Sequence, residues 1–295
     1  MLRKVVALAR TGLGLLLVPI MGTLAILSFP LFGPRGVDFF SRWWARLTLW
    51  VGDVHVAVRG GEKIDCSKSH VYVCNHQSGL DILIAMGWLP QFVHFVAKRE
   101  LAKVPFIGWC LSLSGHIFVD RSRGAHAIVS LKAAASGVRG GKSVIVFPEG
   151  TRFPARSIGP FKAGAFVLAR AAHVPVVPVG IVGSAERMEA RRLYTTPGVV
   201  GLRIGDPIPP EQFEDDDAAL AERVRGLVAA LAGPSAARLA LPSERGRRNR
   251  DQAATRITGD PGSGAQEPPA QAPPTAATES TASDGGSTSK LAPSA

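Results

Sequence analysis

Residues Ser143 to Arg152 read SVIVFPEGTR. The first four form a short apolar run that predicts a buried strand. Pro148 ends that strand, and Gly150 lets the backbone turn or approach a ligand closely. The turn carries one acid, one hydroxyl and one guanidinium, Glu149, Thr151 and Arg152. A guanidinium presents a planar fork of donors that suits a phosphate. Upstream, a second strand-like run, His70 to Cys74, leads into Asn75 to Asp81, NHQSGLD. Polar clusters at the carboxyl ends of two buried strands are where open α/β sheets build sites.

Outward from these two runs the pattern alternates. Strand-like segments are Val54 to Arg59, His70 to Cys74, Phe92 to Ala97, His116 to Val119, Ser143 to Phe147 and Val176 to Val182. Helix-like segments are Asp81 to Trp88, Ala125 to Val138, Lys162 to Ala172 and Asp216 to Leu231. Such alternation predicts an α/β domain, a largely parallel central sheet flanked by helices, over residues 53–241.

Residues 1–52 read differently. From Thr11 to Pro34 there is no charge, and the run is long enough for a bilayer span of roughly 20 residues. Arg3, Lys4 and Arg10 precede it, while Arg35, Arg42 and Arg46 follow, so the positive-inside rule sets no orientation. Gly12, Gly14, Pro19, Gly22 and Pro30 weaken a straight helix, which leaves a membrane helix or a bent helical hairpin. A cleaved signal peptide competes, but Ser28 to Leu31 offers no small-residue cleavage site. Phe39, Phe40, Trp43, Trp44, Leu47 and Trp50 recur at helical spacing; a helix packed on the domain would show the same pattern, but adjacency to the apolar run predicts an amphipathic interfacial helix.

The net charge is +11 and the pI near 10.2, which points to an anionic partner such as a membrane surface or a phosphorylated substrate. Aromatic residues are not interleaved with basic ones as in an RNA-binding sheet, and no zinc-finger spacing occurs, so nucleic acid is not expected. Cys66, Cys74 and Cys110 contain no CxxC pair and predict no disulfide framework. The seven histidines lack HExxH spacing, so no metal is expected. Residues 242–295 begin with Arg245, Arg247, Arg248 and Arg250 and continue in Pro, Ala, Ser, Thr and Gly. That composition predicts a disordered tail.

Within NHQSGLD, Asp81 on the first turn of a helix can reach back to the His76 imidazole. The carboxylate would fix the ring tautomer and leave the other nitrogen as a base. The plainer alternative is a surface histidine near a helix-capping Asp. Ser78 lacks the G-x-S-x-G elbow of a serine hydrolase and reads as a capping hydroxyl. GGKS at Gly140 to Ser143 is not a phosphate loop, because Ser136 stands where the first glycine should and a strand follows.

Taken together these segments resemble the glycerophospholipid acyltransferase family typified by 1-acylglycerol-3-phosphate acyltransferase. NHQSGLD matches its NHxxxxD motif, Gly115 to Arg121 (GHIFVDR) looks like the second, FPEGTR is the third in full, and Val174 to Val179 (VPVVPV) matches the fourth. The resemblance implies that His76 is the general base on a lysophosphatidate-like acceptor and that Asp81 orients it. It implies that Arg121, Glu149 and Arg152 hold the glycerol-phosphate end, with Gly150 and Thr151 shaping the loop, Lys98 a further basic position and Pro178 supporting a channel. It implies no cofactor beyond an acyl-CoA or acyl carrier protein co-substrate, and partners limited to a lysophospholipid acceptor, that donor and membrane lipids. The cell membrane is the expected location, with the catalytic domain on the cytoplasmic face. Other acceptors remain open, namely a different lysolipid or glycerol 3-phosphate, as does a noncatalytic lipid-binding membrane protein.

Overall fold

The computed structural model describes residues 2–119, 124–155, 157–189 and 194–233. The basic patch and tail beyond residue 241 lie outside them.

The chain opens with α1 (Leu2–Phe32) and α2 (Pro34–Val51), joined at Gly33 in a helical hairpin. The domain follows as β1 (Val54–Arg59), β2 (Val71–Cys74), α3 (Leu80–Trp88), β3 (His94–Lys98), α4 (Ile107–Leu113), β4 (Ile117–Val119), α5 (Gly124–Arg139), β5 (Val144–Val146), α6 (Gly164–Ala172), β6 (Val176–Val182), α7 (Ser184–Arg187), β7 (Gly198–Ile204) and α8 (Asp217–Ala232). The seven strands form one sheet in the order β1-β7-β6-β2-β5-β3-β4. All neighbours are parallel except β6 and β7. β1 and β7 therefore run against the other five.

Strand side chains alternate between two cores, as the pleat requires. Tyr72 and Cys74 of β2 and Ile145 of β5 join the core under α2 and α3. Val71, Val73, Val144 and Val146 join the core under α5, α6 and α8. Cys74 is fully buried, in keeping with a small core residue. Three elements have no counterpart in the sequence pattern. Two glycines in the seven residues of β7 mask its strand signal, and α4 and α7 are short helices of seven and four residues with no side-chain N-cap.

Pro178 sits inside the sheet, where a missing N–H is costly. It lies where the β6–β7 ladder stops. Its carbonyl accepts from Gly205 N, and antiparallel pairing resumes only between Val176 and Ile208. Its place in the fold is thus a gap in a ladder.

The glycines and prolines of α1 do not break it, since it runs as one helix through Pro19 and Pro30. Gly14, Gly22, Ala25 and Ser28 form its buried stripe. Such small residues allow close helix contact. A Cβ on Gly22 would stand 2.8 Å from the Cβ of Phe106, just before α4. The rest of α1 exposes Leu, Ile and Phe side chains, and Val5–Phe32 is long and apolar enough to cross a membrane.

α2 divides its face. Val37, Ala45 and Leu49 are buried, the last two in the core with α3, whereas Phe39, Trp43 and Trp50 are exposed. Arg42 donates to the carbonyls of Met86, Leu89 and Gln91, and Arg46 to that of Gly87 at 2.8 Å. These arginines satisfy the last carbonyls of α3 and oppose its negative end. Asp38 on the same helix has one carboxylate oxygen buried without a partner. Burial pushes its pKa up to about 6, against the pull of the Ser114 hydroxyl, Lys142 and Arg42. Between the ordinary value of 3.8 and about 6 the folded chain binds more protons than the unfolded one. Stability contributed by this group therefore falls as pH rises through that window. Asp38→Asn is expected to flatten the slope and raise Tm near neutral pH, as melting curves in detergent between about pH 4 and pH 7 would show.

Candidate functional site

β2 and β5 are adjacent and parallel, so the segments after them leave the same edge of the sheet. The helix that follows β2 packs on one face and the helix that follows β5 on the other. Such a divergence opens a crevice at the strands' carboxyl ends. NHQSGLD and FPEGTR line it.

Main-chain contacts lock the first segment. Asn75 donates through Nδ2 to Ile181 O at 3.0 Å and accepts from Ile181 N at 2.8 Å, tying the end of β2 to β6. The Asp81 carboxylate is wholly buried. Its Oδ2 accepts from Gln77 N at 2.7 Å and Ser78 N at 2.8 Å, and lies 2.9 Å from His76 Nδ1. Because the carboxylate can only accept, Nδ1 carries the proton and Nε2 presents its lone pair. The imidazole stacks on Phe147 with ring centroids 4.4 Å apart and planes 25° apart. Its side chain is nearly buried but retains 11% exposure.

Glu149 is placed differently from the substrate contact expected of it. It is buried, with Oε1 accepting from His76 N at 2.9 Å and Oε2 from Gly159 N at 3.3 Å. A carboxylate would also repel a phosphate. The acid of FPEGTR thus fastens the backbone of the histidine in NHQSGLD. Burial raises its pKa, opposed by those two main-chain donors. Phe153 N adds a second link, donating to His76 O at 2.9 Å.

Gly150 makes the turn, with φ of +72° and its N–H donating to Phe147 O. A left-handed residue there favours glycine. Lys162 folds over it, with Nζ 2.9 Å from where a Cβ would stand. No local pattern marks this cation, because only the path of the chain after FPEGTR returns it to the turn. Thr151 and Arg152 follow on the exposed rim. Lys98 ends β3, two strands from β2 on the same edge, exposed and 3.4 Å from Glu100. Arg121 lies outside the described residues. Among the described residues no three of His, Cys, Asp and Glu are grouped as a metal site requires.

Ser78 is wholly buried. Its Oγ donates to Met188 O at 2.7 Å and accepts from Leu80 N at 3.3 Å. Ser78→Ala is expected to cost about 1 kcal/mol of stability, as the loss of a typical buried hydrogen bond does, and to leave turnover within a few-fold. Melting curves beside initial rates would check this; loss of turnover with unchanged stability would make the hydroxyl a nucleophile.

The arrangement can take a proton from a hydroxyl at His76 Nε2 and hold the resulting imidazolium against Asp81. Comparison with known proteins bears on which hydroxyl. A family model described as Acyltransferase matches residues 55–182. The chain is 38% identical over 208 residues to 1-acyl-sn-glycerol-3-phosphate acyltransferase alpha of Ovis aries, covering 68% of this chain and 72% of that one. The human protein of the same name is also 38% identical over 208 residues, covering 68% and 74%. The crystal structure of the 1-acyl-sn-glycerophosphate (LPA) acyltransferase PlsC from Thermotoga maritima superposes with a TM-score of 0.68 at 28% identity, over 77% of this chain and 95% of that one.

Proposed function

The chain belongs to the 1-acyl-sn-glycerol-3-phosphate acyltransferase family, and from that premise we propose that it moves a fatty acyl group from a thioester to the free hydroxyl of 1-acylglycerol 3-phosphate, giving phosphatidate. The observation that carries the mechanism is the 2.9 Å contact of His76 Nδ1 with the buried Asp81 carboxylate. His76 Nε2 takes the hydroxyl proton as the oxygen attacks the thioester carbonyl. The tetrahedral intermediate then expels the thiolate, which receives that proton from the imidazolium. An alcohol is a weak nucleophile at neutral pH, so the paired base supplies much of the acceleration. No acyl-enzyme is needed, since Ser78 Oγ is held in the fold.

Lys98, Arg121 and Arg152 are assigned to the phosphate, with Thr151 and the Gly150 turn shaping its seat and Lys162 as an added cation. Fixing the phosphate aligns the hydroxyl and removes part of the entropic barrier. Acyl-CoA or acyl carrier protein serves as donor. An apolar groove between α1, α2 and α4, lined by Val18, Met21, Ala25, Phe40, Trp44 and Ile107, has the apolar lining that an acyl chain requires. Met86 on its wall belongs to α3, the helix that also carries Asp81.

The lipid substrate calls for a membrane location on the cytoplasmic face, where the donor is made. The contacts of α1 favour a seat in one leaflet. Phe106 meets α1 at Gly22, about two thirds of the way along the helix, and Arg10 in its first third pairs with Asp53 at 3.3 Å. A helix crossing the bilayer there would carry the domain's polar surface into hydrocarbon.

Transfer of a labelled acyl group tests the reading. Purified membranes containing the chain should form labelled phosphatidate from acyl-CoA or acyl carrier protein and lysophosphatidate. Equal transfer to other lysolipids or to glycerol 3-phosphate, or none with either donor, would overturn it.

A further inference from the structure

After β3 the chain leaves the same edge of the sheet as the site, in a 3₁₀ turn (Arg99–Lys103) that leads into α4. This stretch is built unlike the rest of the edge. Leu101 is 38% exposed, Val104 37% and Trp109 50%, and Pro105 between them is also exposed. Phe106 holds a left-handed φ of +60° and packs its ring 5.3 Å from that of Trp109. Lys98, Arg99 and Lys103 flank these side chains and are exposed, with Glu100 the single acid among them. Large apolar groups held open beside cations mark an interaction surface.

Its occupant follows from what adjoins it. Phe106 and Cys110 pack on the buried stripe of α1 at Gly22, so the patch stands beside α1, whose remaining faces are bare and apolar. A tryptophan beside basic residues at the border of a long apolar face is the composition of a membrane interface. We propose that residues 99–109 form a second lipid contact, in which Leu101, Val104 and Trp109 enter the headgroup region and Arg99 and Lys103 meet anionic lipid phosphates. This rests on the membrane-bound acyltransferase reading and adds to it. Two anchors separated along the sheet edge fix the tilt of the domain, so that the crevice holding His76 opens onto the lipid surface rather than the bulk.

The test uses the full chain with a single environment-sensitive label. Val104→Cys is made in a Cys66→Ser, Cys110→Ser background, Cys74 being buried and unreactive. A control carries Glu62→Cys instead, exposed at the opposite edge of the sheet because β1 runs against β2 and β3. In vesicles of phosphatidylcholine with phosphatidylglycerol, the label at 104 should shift to an apolar emission and be quenched by lipid-borne quenchers. The label at 62 should remain aqueous. Arg99→Glu with Lys103→Glu should lower phosphatidate formation about tenfold on those vesicles and leave it unchanged in neutral detergent micelles, as lost attraction to an anionic surface requires. An aqueous label at 104 on chains that float with the vesicles and make phosphatidate overturns the second contact alone. Protection of that label only after acyl carrier protein is added would assign the patch to the donor protein and equally overturn it. Chains that neither float nor make phosphatidate refute the underlying reading instead.

Discussion

Replacing His76 by alanine is expected to lower the rate of phosphatidate formation about 10³-fold at saturating substrate, the usual span for loss of a general base being 10² to 10⁴. The reasoning is geometric. The Asp81 carboxylate compels Nδ1 to carry the proton, so Nε2 is the basic atom. Alanine removes that atom and the ring stacked on Phe147, but none of the main-chain contacts that hold the loop. Stability should therefore change little relative to turnover. Rates and melting curves on the same preparation check this. A variant retaining a tenth of the wild-type rate would remove His76 from the role of base.

The second large effect separates two variants of Asp81. Alanine leaves the N–H groups of Gln77 and Ser78 buried without an acceptor, each costing about 1–3 kcal/mol. Asp81→Ala should thus lose both fold stability and activity. Asparagine differs. Three donors converge on the Oδ2 position, which selects the amide oxygen for that place, and the Oδ1 position opposite has no hydrogen-bond partner. The loop and the ring tautomer are kept while the negative charge that balances an imidazolium is lost. Asp81→Asn is expected to stay within about 1 kcal/mol of wild-type stability and to turn over about 100-fold more slowly. Equal activity in the asparagine variant would show that Asp81 acts only through hydrogen bonds.

Glu149 shows where one-dimensional reading reaches its limit. Its neighbours in FPEGTR suggest a polar substrate, and the motif marks the right edge of the right strand. Its partners are His76, 73 residues earlier, and Gly159, and neither is near enough in sequence to be inferred. Arg42 and Arg46 teach the same lesson. Placed among Phe39, Trp43 and Trp50, they suggest an interfacial helix, yet their guanidiniums close the end of α3.

What the sequence by itself determined is local in origin. Runs such as VYVC and VIV are apolar without interruption because both faces of a central parallel strand are covered, and that signature marks β2 and β5 without reference to the rest of the chain. The spacing within NHQSGLD places Asp81 in the first turn of α3, five residues after His76 in the loop before it, so the pair is legible within seven residues. Only the tertiary structure decided the strand order, the reversal of β7, the closing of Glu149 on the His76 backbone and the return of Lys162 over Gly150. Each of these joins residues separated by a strand, a helix or a loop. Their energy comes from burying groups supplied by different elements, a quantity that no short stretch of sequence contains.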